Sequence, residues 1–244
     1  MRIYPVIDLL GGVVVRGVGG DRDNYRPIQS RIAPSSAPID VARAFREQLG
    51  LAQLYVADLD AIQGGAPSSE AVASLAEDGF RLLVDRGVRS AAEARAALQT
   101  GASDVVAALE TLPDPGALSD VLAACGADRV VFSLDMKDGK HLGDGRGWPQ
   151  ADPWDVAQTA WQLGVRRMLI LDLRAVGRGG GPAHLDFLRR LARDLDGLEV
   201  LTGGGVRSVE DLSKLAEEGV DGVLVASALH DGAITRSGIL GISS

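Results

Sequence analysis

One cysteine, Cys125, is the whole thiol complement of this 244-residue chain. An internal disulfide framework is therefore excluded, and a reducing, cytoplasmic setting is expected. Cys125 sits in the apolar stretch VLAACGA, where a small buried hydrophobe is the ordinary outcome, so it is given no catalytic role. Positive charge is also scarce: 25 Lys and Arg against 33 Asp and Glu leave a net charge of −8. That balance argues against a nucleic-acid binder but leaves room for a local basic pocket for an anionic metabolite. No 18-residue apolar run occurs and no secretory h-region opens the chain, so a soluble protein with no membrane partner is expected. The three histidines, His141, His184 and His230, lack metal-ligand spacing, and His230, near the last helix, reads as a surface or capping residue. No nucleophile elbow, Walker loop or dinucleotide fingerprint stands in its required context. Neither a metal nor a cofactor is expected.

What the chain does contain is a repeat. Residues 84–110 (VDRGVRSAAEARAALQTGASDVVAALE) and 202–228 (TGGGVRSVEDLSKLAEEGVDGVLVASA) align without a gap at a constant offset of 118. Gly87 falls on Gly205, Val88 on Val206, Arg89 on Arg207, Ser90 on Ser208, Gly101 on Gly219 and Val105 on Val223. Each copy reads as strand, glycine turn, capped helix and second strand, with Ser90 or Ser208 as the cap and Glu93 or Asp211 reaching back. A strand–helix–strand unit repeated at about half the chain length points to a duplicated α/β half-barrel.

The rest of the chain agrees. Short β-branched runs alternate with helical periodicity from RIYPVIDL onward, giving eight strands and roughly eight helices. GGVVVRGV (11–18) reads as a hairpin return, and the polar stretch 19–38 as a long lid or binding loop with disorder as its competitor. Trp154 and Trp161, seven apart on one helix, read as a packing stripe. The length suits one domain, 1–244, folded as a single (β/α)8 TIM barrel built from two duplicated half-barrels, with an open doubly wound sheet as the second arrangement.

Four of these strands end in aspartate: Asp8, Asp58, Asp135 and Asp172. In such a barrel the C-terminal strand ends form the rim that carries the active site. Asp8 and Asp135, on strands one and five, are expected to face each other in matching contexts (VIDLLGG and SLDMKDG) and to divide acid and base work. TGGGVRS after strand seven offers Gly203, Gly204 and Gly205 to a phosphate at a helix N-terminus, and VASAL adds the backbone of Ala226 and Ser227. The first copy reads VDRGVRS and AALET. It keeps only Gly87 of the triplet, brings in Asp85 and Arg86, and places Ala108 and Leu109 opposite Ala226 and Ser227. One phosphate site therefore reads as intact and the other as altered.

PVIDLLGGVVVRGVGGD (5–21), VADLDAI (56–62), SLDMKDGKHLGDGRGW (133–148) and TGGGVRSVEDL (202–212), together with the duplication, resemble the histidine-biosynthesis barrel family, the ribotide isomerase and its cyclase sister. The resemblance covers essentially the whole chain. It implies a metal- and cofactor-free Amadori rearrangement of an aminoaldose to an aminoketose on a substrate with two phosphates, one held by each half. By position, it implies Asp8, Asp135 and Asp172 as the catalytic carboxylates. Arg16, Asp58, Gly147 and Trp148 become substrate contacts, the tryptophan as a cover. The chain departs from the family where a Thr and a DGT triplet are expected, reading Leu171 and Val176-Gly177-Arg178, and in the first-half glycine loop. That pattern is similar to a divergent, isomerase-related branch. It implies two alternatives: a paralogue acting on a smaller mono-phosphorylated metabolite in another pathway, such as pterin-type one-carbon cofactor synthesis, or a non-catalytic phosphate-binding barrel. Oligomeric state is left open.

Overall fold

A computed structural model of the chain describes residues 1–17, 24–137, 140–141, 147–148, 152–172 and 180–242. Strand β1 (Arg2–Leu10) turns through Gly11-Gly12 into β2 (Val13–Arg16), which pairs back on it with Asp8 opposite Val15, and β3 (Arg26–Pro27) adds to β2. The hairpin expected at 11–18 is thus present over its described residues. Helix α1 (Pro38–Ala44) runs on into a π-helical turn, Phe45–Leu49, which stops at Gly50 (φ 76°). The chain continues through β4 (Gln53–Asp58), α2 (Leu59–Ile62), α3 (Ser69–Glu77), β5 (Arg81–Asp85), α4 (Ala91–Gln99), β6 (Asp104–Ala108) and α5 (Pro115–Cys125). The second half supplies β7 (Val130–Lys137), β8 (Lys140–His141), α6 (Pro153–Gln162), β9 (Arg167–Asp172) and α7 (Leu185–Asp194). It closes with β10 (Glu199–Gly203), α8 (Val209–Glu217), β11 (Gly222–Val225), α9 (Ser227–His230) and α10 (Arg236–Ile242).

Eight of these strands form a closed parallel cylinder in the order β1, β4, β5, β6, β7, β9, β10, β11, and β11 pairs back on β1. This is a (β/α)8 barrel. The repeat holds at the level of geometry: shifted by 118, α4 falls on α8 residue for residue and β5 on β10. Ser90 and Ser208 both accept the N–H three residues on. Glu93 and Asp211 accept from Arg89 N and Arg207 N at 2.7 and 3.0 Å.

Because a parallel barrel buries both faces of its sheet, each strand is apolar on both sides. Tyr4, Tyr55, Leu83, Val106, Val131, Leu169, Leu201 and Leu224, one from each strand, fill the lumen. Their neighbours, such as Ile7, Leu54, Val56, Phe132, Met168 and Val200, pack outward under the helices. At the N-terminal end of the barrel lies an ionic layer. Arg167 Nη1 donates to Asp104 Oδ1 at 2.9 Å, and Glu199 accepts from both Arg167 and Arg2. Such a layer at the bottom of the barrel serves stability rather than chemistry.

The first loop is built into this body over its described part. Ile28 is buried, Ile28 N donates to Val14 O, and Arg31 N donates to His230 O. The tryptophan stripe packs as expected: Arg190 lies 3.7 Å over the Trp154 ring and Trp161 Nε1 donates to Asp196 O. Among the described residues no helix is long and apolar enough to cross a membrane.

Candidate active site

Parity along a strand decides which terminal carboxylate enters the lumen. On β1, Tyr4 points inward, so Asp8 does as well. On β7, Val131 points inward, and Ser133 and Asp135 follow it. Asp8, Asp85 and Asp135 all line one cavity of about 490 Å3 at the C-terminal end of the barrel. With β1 and β7 four strands apart in an eight-strand ring, Asp8 and Asp135 enter from opposite walls. Asp135 is 6% exposed, and its Oδ1 accepts the Ser133 hydroxyl at 2.6 Å, which fixes the carboxylate. The base of the cavity is Tyr55, whose hydroxyl donates to Asp85 Oδ2 at 3.1 Å. Burial pushes the Tyr55 phenol well above its ordinary value, and the charges of Asp85, Asp135 and Asp8 add to the shift. Tyr55 is therefore a neutral donor among carboxylates at neutral pH.

The opposite wall is suited to an anion. Gly204 and Gly205 line the cavity at φ 92° and 80°, with Arg207, Ala226 and Ser227 beside them. The turn leads directly into the capped helix α8, whose dipole favours negative charge there. Arg207 is held by Asp211 at 2.9 Å. Arg16 reaches the cavity from β2 and pairs with Asp231 at 2.5 Å. Tyr25, Glu110, Leu171 and Asp231 also line the cavity.

The structure thus brings together Asp8, Asp135, Arg16, Gly204, Gly205, Ala226 and Ser227, and it places other expected residues elsewhere. Asp58 shares parity with Leu54 and Val56 and is 1% exposed on the helix side. Its oxygens accept from Ala61 N, Ser68 N and Ser68 Oγ, so it caps α2 and pins the following loop. Asp172 likewise shares the outward parity of Met168 and Ile170. It does not line the cavity, and its Oδ2 lies 2.8 Å from Nε2 of His184, a residue with φ 57°.

Trp148 is buried at 5% exposure and stacked on Phe132 at 5.4 Å, under the helices and away from the lumen. Gly147 beside it lies against Asp114 and Pro115 at the start of α5. Gly203 serves packing: a β-carbon there would stand 2.9 Å from Leu224 Cβ and 3.1 Å from Leu171 Cδ1. His230 is not a surface residue; it is 2% exposed, with its ring 5.0 Å from that of Phe45 and Nδ1 3.0 Å from Ser30 Oγ. Cys125 is only partly buried, at the end of α5. The segment Val176-Gly177-Arg178 and the tip of the 136–150 loop lie outside the described residues.

Tyr25, Tyr55, Glu110 and Arg207 were not singled out from the sequence. Arg207 had a usable signal, since it sits in the repeated GVRS turn. The tyrosines had none, because a lumen tyrosine reads like any strand aromatic.

Two carboxylates facing across a barrel mouth, beside a glycine turn that leads into a helix N-terminus, have the arrangement of a β/α barrel enzyme's active site. The comparisons make this particular. The family model described as "Histidine biosynthesis protein" matches residues 2–235. The chain is 35% identical to a protein of Sorangium cellulosum and 33% identical to one of Thermus thermophilus, with 96% of each chain covered in both cases. Both relatives are named as isomerases of 1-(5-phosphoribosyl)-5-((5-phosphoribosylamino)methylideneamino)imidazole-4-carboxamide. An uncharacterized protein of Methanocaldococcus jannaschii is 31% identical, with 98% of each chain covered. The chain belongs to the histidine-biosynthesis protein family.

Proposed function

We propose that this protein is a cofactor-independent isomerase that interconverts a phosphorylated aminoaldose and its aminoketose, the Amadori rearrangement. The observation that carries the reading is the pair Asp8 and Asp135, on opposite walls of one cavity, with the glycine turn of Gly204 and Gly205 beside them. One carboxyl protonates the ring oxygen as the sugar opens, and the other, as carboxylate, removes the proton from C2. The resulting enolamine tautomerises to the ketone, so protons are redistributed and no atom is gained or lost. Ser133 orients Asp135 for this, and the neutral Tyr55 hydroxyl sits within the carboxylate cluster.

The phosphate serves as the handle. Glycine backbone, the α8 terminus, Ala226 and Ser227 hold it, and its binding positions the reacting carbons. The relatives' printed name supports this class of reaction, and their phosphoribosylamino compound is the default substrate to try. The single thiol supports a reducing, cytoplasmic setting.

The test is turnover of that aminoaldose by purified protein, with Asp8→Asn beside it. Asp8→Asn is expected to lower kcat by about 10²–10⁴-fold while ligand affinity is kept, as for loss of a general base. Undiminished turnover of any aminosugar phosphate by Asp8→Asn would overturn the carboxylate mechanism.

A further inference from the structure

Among the described residues two arginines line the cavity, Arg16 and Arg207, and a carboxylate holds each of them. The two grips differ. Asp211 engages Arg207 with both oxygens, Oδ2 accepting from Nε at 2.9 Å and Oδ1 from Nη2 at 3.0 Å. Asp231 engages Arg16 at one point, where Nη2 donates to Oδ2 at 2.5 Å. Among the described residues, Nε and Nη1 of Arg16 make no hydrogen bond.

Asp231 is the fixed member of its pair. It closes α9, where its N–H donates to Ser227 O at 2.8 Å, so it stands one helical turn from Ser227 in the phosphate wall. The residue before it, His230, is buried against the Phe45 ring, with Nδ1 on Ser30 Oγ and its carbonyl accepting from Arg31 N. Arg16, by contrast, is the last residue of β2, and its guanidinium is carried on a long, partly exposed stem. Such a side chain loses rotamer freedom when it meets an anion, unless a neighbour already holds it.

We propose that Asp231 is a positioning residue for substrate binding. It holds Arg16 by Nη2, one turn of α9 from Ser227, and leaves Nε and Nη1 to donate to the phosphate at Gly204, Gly205 and Ser227. The planar fork of a guanidinium permits this division, with a carboxylate on one nitrogen and a phosphate on the others. A glycine turn and a helix terminus supply only partial charges, and Arg16 adds a full one. The proposal rests on the phosphate seat of the isomerase reading and assigns Asp231 a role exerted through Arg16. If Asp231 instead competed with the phosphate for Arg16, its removal would strengthen binding, so the two arrangements differ in sign.

The experiment is calorimetric binding of ribose 5-phosphate and of orthophosphate to the full chain. It compares the natural protein, Asp231→Ala, Arg16→Gln and the double variant. Asp231→Ala is expected to weaken ribose 5-phosphate about fivefold, the scale of one long side chain left to be ordered by the ligand. Arg16→Gln is expected to weaken it about tenfold. In the Arg16→Gln background, Asp231→Ala should change nothing, since no guanidinium remains to be held. Asp231→Asn keeps an acceptor oxygen and should fall between the natural protein and the alanine variant. Orthophosphate should show the same coupling, which places the effect on the phosphate. Melting temperatures should be unchanged throughout, because the pair is solvent-accessible.

Unchanged or tighter binding by Asp231→Ala, an equal loss with and without Arg16, or failure to bind either ligand would each overturn the proposal. Coupling seen with ribose 5-phosphate and not with orthophosphate would assign Arg16 to the sugar and overturn it as well. The two readings fail separately, because turnover does not enter this experiment. Coupled phosphate binding without isomerisation of any aminosugar phosphate would keep the role of Asp231 and remove the isomerase. Asp8-dependent turnover with uncoupled binding would do the reverse.

Discussion

The Asp8 carboxylate lies so close to Gly17 that a β-carbon on that glycine would stand 2.8 Å from Asp8 Oδ2, and 3.4 Å from the Tyr25 hydroxyl. The hairpin that follows β1 therefore folds back to form one side of the Asp8 site, and it does so at a residue with no side chain. Gly17→Ala should push the carboxylate off its position, because a side chain yields more readily than the strand backbone of β1. The expected result is a fall in kcat of about 10–100-fold, the scale of a catalytic group displaced by about an ångström, with an unchanged melting temperature. Steady-state kinetics beside a thermal melt check it, and an unchanged kcat would show that Asp8 does not need this placement.

Asp58 provides the opposite case. Its two oxygens satisfy two backbone N–H groups and one hydroxyl in a buried setting. Asp58→Asn replaces one acceptor oxygen with a donor and leaves Ser68 N or Ala61 N facing an N–H. The expected cost is about 2–3 kcal/mol of folding stability by urea denaturation, with KM unaltered in the folded enzyme. A rise in KM without loss of stability would return Asp58 to the substrate.

His230 should make folding pH-dependent in a defined window. Burial, and then the charge of Arg16, lower its pKa from 6.5 to about 4, against a smaller opposing effect of Asp231. The unfolded chain thus binds a proton at His230 near pH 6.5 that the folded chain resists until about pH 4. The stability this contributes is complete above the unfolded value and is lost as pH falls through the window toward the folded value. A shift of this size corresponds to about 3 kcal/mol across the window. His230→Gln keeps a polar group for Ser30 and does not titrate. Chemical denaturation of both proteins from pH 7 to pH 4 should show a shallower loss for the variant, and parallel curves would contradict the assignment.

The backbone was far more legible in the sequence than the site. The exact shift of α4 onto α8, the serine caps and the glycine stops all depend on local chemistry, which the sequence carries directly. The rim carboxylates did not separate, because a strand buried on both faces alternates apolar with apolar and hides its parity. LYVAD and VVFSLD each end in aspartate, yet Tyr55 places Asp58 outside the barrel while Val131 places Asp135 inside it. Position at a strand end thus identified the rim but not the lumen. Trp148 and His230 were misplaced for a related reason. An amphipathic side chain near a loop or terminus suits water and core equally, and only tertiary packing decides.

The ionic layer beneath the barrel bears on how the two halves can change. Asp104 belongs to the first half and Arg167, its partner at 2.9 Å, to the second. Shifted by 118, the place of Asp104 is taken by Gly222, and Arg167, the first residue of β9, has Gln53 as its counterpart at the start of β4. A barrel assembled from two first halves would hold two copies of Asp104 without Arg167, and one from two second halves two copies of Arg167 without Asp104. The backbone still remembers a time when the halves were interchangeable. Their charges no longer permit it: each half has become the counter-ion of the other, and a substitution in one must now be answered in its twin.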